Sequence, residues 1–436
     1  MPNFRTLASG LAAFALLVIV ALPAGATTIQ RVVSPKGIEA WLVEEHAVPL
    51  IAVSFAFTGG SAQDPTARPG VANMVSSLLD EGAGDLDSQA YQAALDRYSI
   101  ELSFRDGLDS FAGTMRTLSG NREQATHLLK LALTSPHFDK EPVERIRAQI
   151  IANIRSNERD PDEVGSDALM AALFPNHPYG RPTDGTIDSV NAITTEDLRA
   201  WFSRNVARSN LKVAVVGDID AATLGQLLDE VFGDLPEKAA LEPVPEIVPA
   251  HVPQVAIGMD IPQTVLTFAG PGLKREDPDF IPATVAAYIL GGGSFSSRLY
   301  SEVREKRGLA YSVSLGLSPL DHAGLVYAGT STRADQAGEV VKLVQDVVRR
   351  FAEEGPTDKE LADAKSYLIG SYPLRFDTST KIAGLLLSIQ LDDLGIDYID
   401  KRNDLIAAVT IEDVRRVAKR LFSGDMVVVR VGQPAG

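Results

Sequence analysis

ITTEDLRAWFSRNVARSNLKVAVVGD, residues 193–218, returns as VTIEDVRRVAKRLFSGDMVVVRVGQ at 409–433. Thr194 and Thr195 ahead of Glu196 and Asp197 mark a helix start, because hydroxyls cap free N–H groups and carboxylates suit the positive end. The run Lys212 to Val216 then reads as a strand. A second pair lies outward of the first. VPLIAVSFAFTGG at 48–60 matches IPQTVLTFAGPG at 261–272, offset by 213 against 216 for the longer pair. Two matches at almost one offset identify a duplication. Between the copies, PEKAALEPVPEIVPAHVP (236–253) carries five prolines, a density that blocks helix and sheet and favours a stiff, extended connector. It divides the chain into 27–235 and 254–436.

Further strands are expected at Ile38 to Glu44, Leu50 to Thr58, Glu101 to Arg105 and Phe111 to Met115. Helical periodicity covers 88–97, 121–133, 140–157, 163–173, 195–206 and 221–231. In the second half it recurs near 279–290, 295–307, 334–353, 357–371, 378–391 and 411–421. Strands such as 101–105 and 110–115 are separated by short turns, which implies antiparallel pairing. The fold class expected is α+β: an antiparallel sheet with helices packed on one side, made twice.

Composition excludes several roles. The 436 residues are 45% hydrophobic and 22% charged, as in ordinary globular proteins. A net charge of −16 argues against nucleic acid as a partner. Residues 1–26 read as a signal peptide, with Arg5, an apolar stretch from Leu11 to Leu22, and Ala24-Gly25-Ala26 before the cut. An uncleaved anchor is the alternative, although the stretch falls short of the roughly 20 residues a span needs. Export without a single cysteine rules out disulfides and thiolate metal sites and suits a periplasmic or secreted protein. The six histidines include no two spaced three or four apart, so H-E-x-x-H and H-x-x-E-H are both missing. Serine-elbow and nucleotide-cradle motifs are missing too.

Two stretches retain chemical interest. In GVANMVSSLLDEGAG (70–84), Val71, Met74, Val75 and Leu78 form the apolar stripe of a helix, and Asn73, Ser76, Ser77 and Asp80 the opposite one. A zinc helix would place His, Glu and His at Asn73, Ser76 and Ser77. In GGGSFSSRLYSEVREKRGLAYSV (291–313), Phe295, Leu299 and Val303 are expected to be the buried stripe of a helix that Gly308 ends. Gly291, Gly292 and Gly293 leave amides uncovered before its N-terminus, a geometry able to receive a carbonyl or carboxylate. Arg304 and Tyr311 then lie on either side of the helix end. The plain alternative is a flexible turn followed by a surface helix.

At these residues the chain resembles the pitrilysin-type metallopeptidases, the inverzincin family that includes insulin-degrading enzyme and the mitochondrial processing peptidase. The likeness rests on the duplicated halves, the 70–84 helix, HPYGRP at 177–182 (on spacing alone, a proline- and glycine-defined turn) and SSRLYSEVREKRGLAYSV at 296–313. It implies halves facing each other as a clam-shell around a peptide chamber. It also implies degenerate metal positions at Asn73, Ser76 and Ser77, with the distal glutamate position near Asn153. No metal is then expected in this chain. Arg304 and Tyr311 match the family's pair that orients substrate and stabilises the transition state. The resemblance implies a zinc-less subunit of a heterodimer whose H-x-x-E-H-bearing homologue holds the zinc and cuts peptides. Two other readings stand beside it: a catalytically dead scaffold or peptide-binding protein, and a lone peptidase using His46, Asp80 and Glu81.

Overall fold

The computed structural model describes residues 28–252 and 254–433; the leader expected at 1–26 lies outside the described residues. The first half builds β1 (Gln30–Val33), β2 (Glu39–Glu44), β3 (Leu50–Thr58), β4 (Glu101–Asp106), β5 (Ser110–Leu118) and β6 (Leu211–Gly217) into one sheet, ordered β1-β2-β6-β3-β5-β4. The second builds β7 (Val255–Gly258), β8 (Gln263–Pro271), β9 (Ala310–Pro319), β10 (Gly324–Arg333) and β11 (Val427–Gly432), ordered β9-β10-β8-β11-β7. The α+β class with two similar halves holds. All-antiparallel pairing does not, because β2 runs parallel to β6 and β7 parallel to β11.

The helices of the first half are α1 (Val71–Ser76), α2 (Ser88–Arg97), α3 (Arg122–Thr134), α4 (Lys140–Asn157), α5 (Pro161–Leu173), α6 (Ile187–Ala192), α7 (Thr195–Asn205) and α8 (Ala221–Phe232). Those of the second are α9 (Phe280–Ala287), α10 (Arg298–Tyr300), α11 (Ala337–Glu354), α12 (Asp358–Gly370), α13 (Ser379–Leu391), α14 (Tyr398–Ala408) and α15 (Ile411–Phe422). The repeated Thr-x-x-Asp closes a capping box in both copies, Thr194 with Asp197 on α7 and Thr410 with Asp413 on α15.

Each sheet packs one face on its own helices, and the other face receives a helix from the opposite half. Ala383, Leu386, Leu387 and Ile389 of α13 bury against Trp41, Val43, Ala52, Ala56, Ala214 and Val216 of the first sheet. Leu169 and Leu173 of α5 bury against Val265, Ala269, Val427, Val429 and Val431 of the second. Fully burying a leucine or isoleucine contributes about 1.5–3 kcal/mol, so the exchange locks the halves together. Gln390 on α13 adds a buried hydrogen bond of 2.9 Å to the Val213 carbonyl. α13 thus covers one face of the first sheet and α5 one face of the second. The described residues of the proline-rich connector, 236–252, have no regular secondary structure and are stitched down, with Ala240 N–H donating to the Arg204 carbonyl and Ile247 N–H to that of His322.

Candidate functional site

The Arg304/Tyr311 block is built by an irregular helix. The Ser297 hydroxyl caps α10 by accepting from Tyr300 N–H at 3.4 Å. The coil then widens to i→i+5 bonding over Ser301–Glu305, a rare form that recurs at functional sites. Gly308, at φ 63°, ends it in the left-handed region, as the sequence indicates. A bulge between Ala310 and Val313 follows, so Tyr311 and Ser312 both face outward. Widening and bulge together bring the pair into contact: the Arg304 guanidinium lies 4.6 Å from the Tyr311 ring centre and 5.1 Å from that of Tyr300. Its Nη1 donates to the Tyr300 hydroxyl. Among the described residues Arg304 has no carboxylate partner, so its remaining N–H groups stay available. Tyr311 is 79% exposed.

Two expectations around this block need correction. Leu299 and Val303 are buried, but Phe295 is 73% exposed, because the helix begins at Arg298 and a separate turn at Ser294–Ser296 carries Phe295 outward. The glycines are not an open amide cradle. Gly291 and Gly292 sit in another wide turn (Tyr288–Gly292), and Gly293 N–H donates to the Tyr288 carbonyl at 2.8 Å. Gly291 is buried against β9, where a Cβ would fall 2.6 Å from Leu315 N. Close approach of backbones explains that glycine.

The second region is the emptied helix. Val71, Met74, Val75 and Leu78 are buried as expected. The helix stops at Ser76 rather than running to residue 84: the Ser76 hydroxyl donates to the Asn73 carbonyl at 2.8 Å, and the ladder tightens to i→i+3 at Leu78. Ser77 N–H still donates to the Asn73 carbonyl at 3.1 Å, so these two positions keep their one-turn relation. Asn73 Nδ2 donates to Asp184 Oδ1 at 2.5 Å, and Asn157 Nδ2 reaches Asp184 Oδ2 at 3.4 Å. Asn153, one turn earlier on α4, is exposed. A carboxylate joined to two amides thus ties α1 to α4. The polarity is the reverse of a metal centre: a central acceptor with neutral donors around it, where a cation would need lone pairs pointing inward. Among the described residues no group of three or more His, Cys, Asp or Glu side chains has a metal-holding geometry. Burial pushes the nearby Asp106 carboxyl up to about 6, with the Asp184 charge adding to the effect and the Ser76 hydroxyl opposing it. A cavity of about 720 Å³ opens beside Asp184, lined also by Glu158, Glu163, Asp167 and Asp188. His46, Asp80 and Glu81 have separate partners: His46 pairs with Asp218 at 2.8 Å, Asp80 accepts from Gln92, and Glu81 holds Ser88 and Arg145.

HPYGRP proves to be more than a turn. Tyr179, fully buried, donates to Asp109 Oδ1 at 2.5 Å and accepts from His322 N–H at 3.1 Å. Asp109 also accepts from Asp321 N–H at 3.1 Å. The β4–β5 turn of the first half is thereby latched to the β9–β10 turn of the second. His177 accepts from Tyr179 N–H at 3.1 Å, and its other ring nitrogen contacts the Pro245 carbonyl at 2.9 Å, which fixes a neutral tautomer. Arg181 donates to the carbonyls of Ala62 and Asp64, and the Asp64 side chain caps α1 through Gly70 and Ala72 N–H at 2.7 and 3.0 Å. Among these, sequence reasoning found the motif; it did not find Asp64, whose side chain caps α1 from six and eight residues away, or Asp109 and Asp184, which acquire roles through contacts far along the chain.

Fold and site define a duplicated peptidase-type protein that keeps an Arg/Tyr pair and lacks the side chains of a zinc centre. Comparison with known proteins agrees. The model of the insulinase family (peptidase family M16) matches residues 42–187, and that of the M16 inactive domain matches 192–368. A non-peptidase homologue, YmxG, of Helicobacter pylori is 30% identical, over 83% of each chain. An uncharacterized zinc protease of Streptomyces coelicolor is 30% identical over 91% of this chain and 87% of its own. A crystal structure of a peptidase M16 inactive domain from Pseudomonas fluorescens superposes with a TM-score of 0.86 at 31% identity, covering 93% of this chain and 98% of that one. The chain belongs to the M16, or insulinase, family.

Proposed function

We propose that this chain is the substrate-orienting subunit of a periplasmic zinc peptidase, exported by its N-terminal leader and paired with an H-x-x-E-H-bearing homologue. The single observation that carries this reading is the Arg304 guanidinium, unpaired with any carboxylate among the described residues and gripped by the rings of Tyr300 and the exposed Tyr311. Such a guanidinium can bind a peptide carbonyl, and the Tyr311 phenol can donate to an oxyanion forming at the bond being cut. The zinc and its activated water would come from the partner. With one face of each sheet already covered by a helix of the opposite half, the peptide chamber would lie between the two subunits.

The test is reconstitution. The purified chain and its homologue are assayed for peptide cleavage separately and mixed. Arg304→Ala should clearly lower turnover of the mixture, and Tyr311→Phe should lower it by about 10²–10³-fold, the usual loss for one transition-state donor. Unchanged turnover would refute the orienting role. A chain that enhances no cleavage with any homologue would instead be a scaffold.

A further inference from the structure

Tyr300 lies four residues before Arg304, and side chains at that spacing share a face of a helix. It is 7% exposed and belongs to the core of the second half. Phe295 packs edge-on against its ring, centres 5.0 Å apart at 80°, and the Ser297 hydroxyl accepts from its N–H at 3.4 Å. A residue fixed by core packing, a ring contact and a cap has little freedom of its own. Its phenol nevertheless meets a charge: Arg304 Nη1 donates to the hydroxyl, and the guanidinium lies 5.1 Å from the ring centre. Among the described residues that hydroxyl has no other hydrogen-bond partner.

Core packing explains the ring but not the oxygen. Phenylalanine would fill the same space, and a buried hydroxyl costs stability unless it is bonded. The bond it makes goes to the one side chain of this block on which the orienting role depends. The two tyrosines against Arg304 therefore divide. Tyr311 is 79% exposed and able to touch a peptide, whereas Tyr300 is buried and can act only through the guanidinium. An arginine side chain gives up considerable rotamer freedom when it is fixed in one geometry. One that is already held gives up less on binding and meets its ligand in a set direction. Glu302, two residues away, is already engaged by Lys306 at 2.8 Å and Arg307 at 2.6 Å.

We infer that Tyr300 is a positioning residue, whose hydroxyl holds the Arg304 guanidinium in the pose it presents beside Tyr311. The inference rests on the substrate-orienting reading and extends it to a residue that never touches substrate. Tyr300→Phe should leave the fold intact and loosen Arg304 alone.

The first measurement uses the full chain by itself. Phenylglyoxal modifies accessible guanidinium groups, and peptide mass mapping reads the rate at each arginine. Arg304 should react roughly tenfold faster in Y300F than in the wild type, the scale on which one hydrogen bond to a charged group moves an equilibrium. Arg333, paired with Asp335 at 2.7 Å, should be unchanged and serves as the internal control. The second measurement uses the mixture with the H-x-x-E-H-bearing homologue. Y300F should lower turnover, and Y300F/R304A should be no slower than R304A, because a residue acting through the guanidinium then has nothing left to act on. A tyrosine with only a structural role would add its own loss to that of R304A. Thermal melts check the folding of each variant. An unchanged Arg304 rate in Y300F overturns the hold, as does a double variant slower than R304A, or wild-type turnover in Y300F where R304A slows the mixture. If R304A itself leaves turnover unchanged, the subunit reading fails, while the modification rates still decide whether Tyr300 holds Arg304.

Discussion

Tyr179→Phe removes one oxygen and no volume, which makes it a clean probe of the latch between the halves. The wild-type hydroxyl donates to Asp109 at 2.5 Å and accepts from His322 N–H at 3.1 Å, in a site where the tyrosine is wholly buried. The variant leaves a carboxylate oxygen and a backbone N–H without these partners. A hydrogen bond to a charged group is worth about 1.5–3 kcal/mol and a neutral one about 0.5–1.5, so the loss should be about 2–4.5 kcal/mol. Equilibrium urea unfolding can measure it with two probes. The only tryptophans, Trp41 and Trp201, lie in the first half, and Trp201 packs 5.2 Å from Phe111 beside the latch. Far-ultraviolet circular dichroism reports both halves. Because α5 and α13 still interlock the sheets, both curves should shift together to lower urea. A change below about 0.5 kcal/mol, the range of ordinary surface substitutions, would show that the latch is ornamental and refute the reasoning.

Three further outcomes are expected. Burial raises Asp64 to about 7 against an ordinary 3.8, in spite of its two backbone N–H bonds. A raised folded value means its contribution is full below pH 4 and is lost as pH climbs through about 7, at up to about 1.4 kcal/mol per unit; Asp64→Asn should flatten that slope in pH-dependent melts, and an identical slope would reject the assignment. Rebuilding the centre with Asn73→His, Ser77→His and Asn153→Glu supplies three ligands, since positions 73 and 77 keep their one-turn spacing. Zinc affinity measured by chelator competition should rise, and no gain would mean that the shortened α1 no longer aims them. Gly291→Ala places a Cβ 2.5 Å from that of Leu315 and 2.6 Å from its amide nitrogen, so the chain should lose about 1–3 kcal/mol by thermal unfolding. An unchanged melting point would mean that the turn yields freely.

Local pattern was sufficient for most individual elements. β3 occupies Leu50–Thr58, α2 Ser88–Arg97 and α4 Lys140–Asn157, as periodicity indicates. α14 escaped notice because it buries only Ile406 and so lacks an apolar stripe to read. Phe295 misled for the opposite reason: its spacing from Leu299 and Val303 mimics a stripe, but the helix starts too late to include it.

From the sequence alone came the duplication, the loss of imidazoles and carboxylate at Asn73, Ser76 and Ser77, and the Arg304–Tyr311 spacing, since each depends only on residue identity and interval along one chain. Tertiary structure decided the exchange of α5 and α13, the Asp184 hub between Asn73 and Asn157, and the Tyr179–Asp109 latch. Those contacts join residues far apart along the chain: Asp109 and Asp321 are separated by 212 positions, and α13 packs on strands near the other end of the chain. No periodicity encodes such pairs. They form because apolar faces seek cover and buried polar groups seek partners wherever folding brings them within reach.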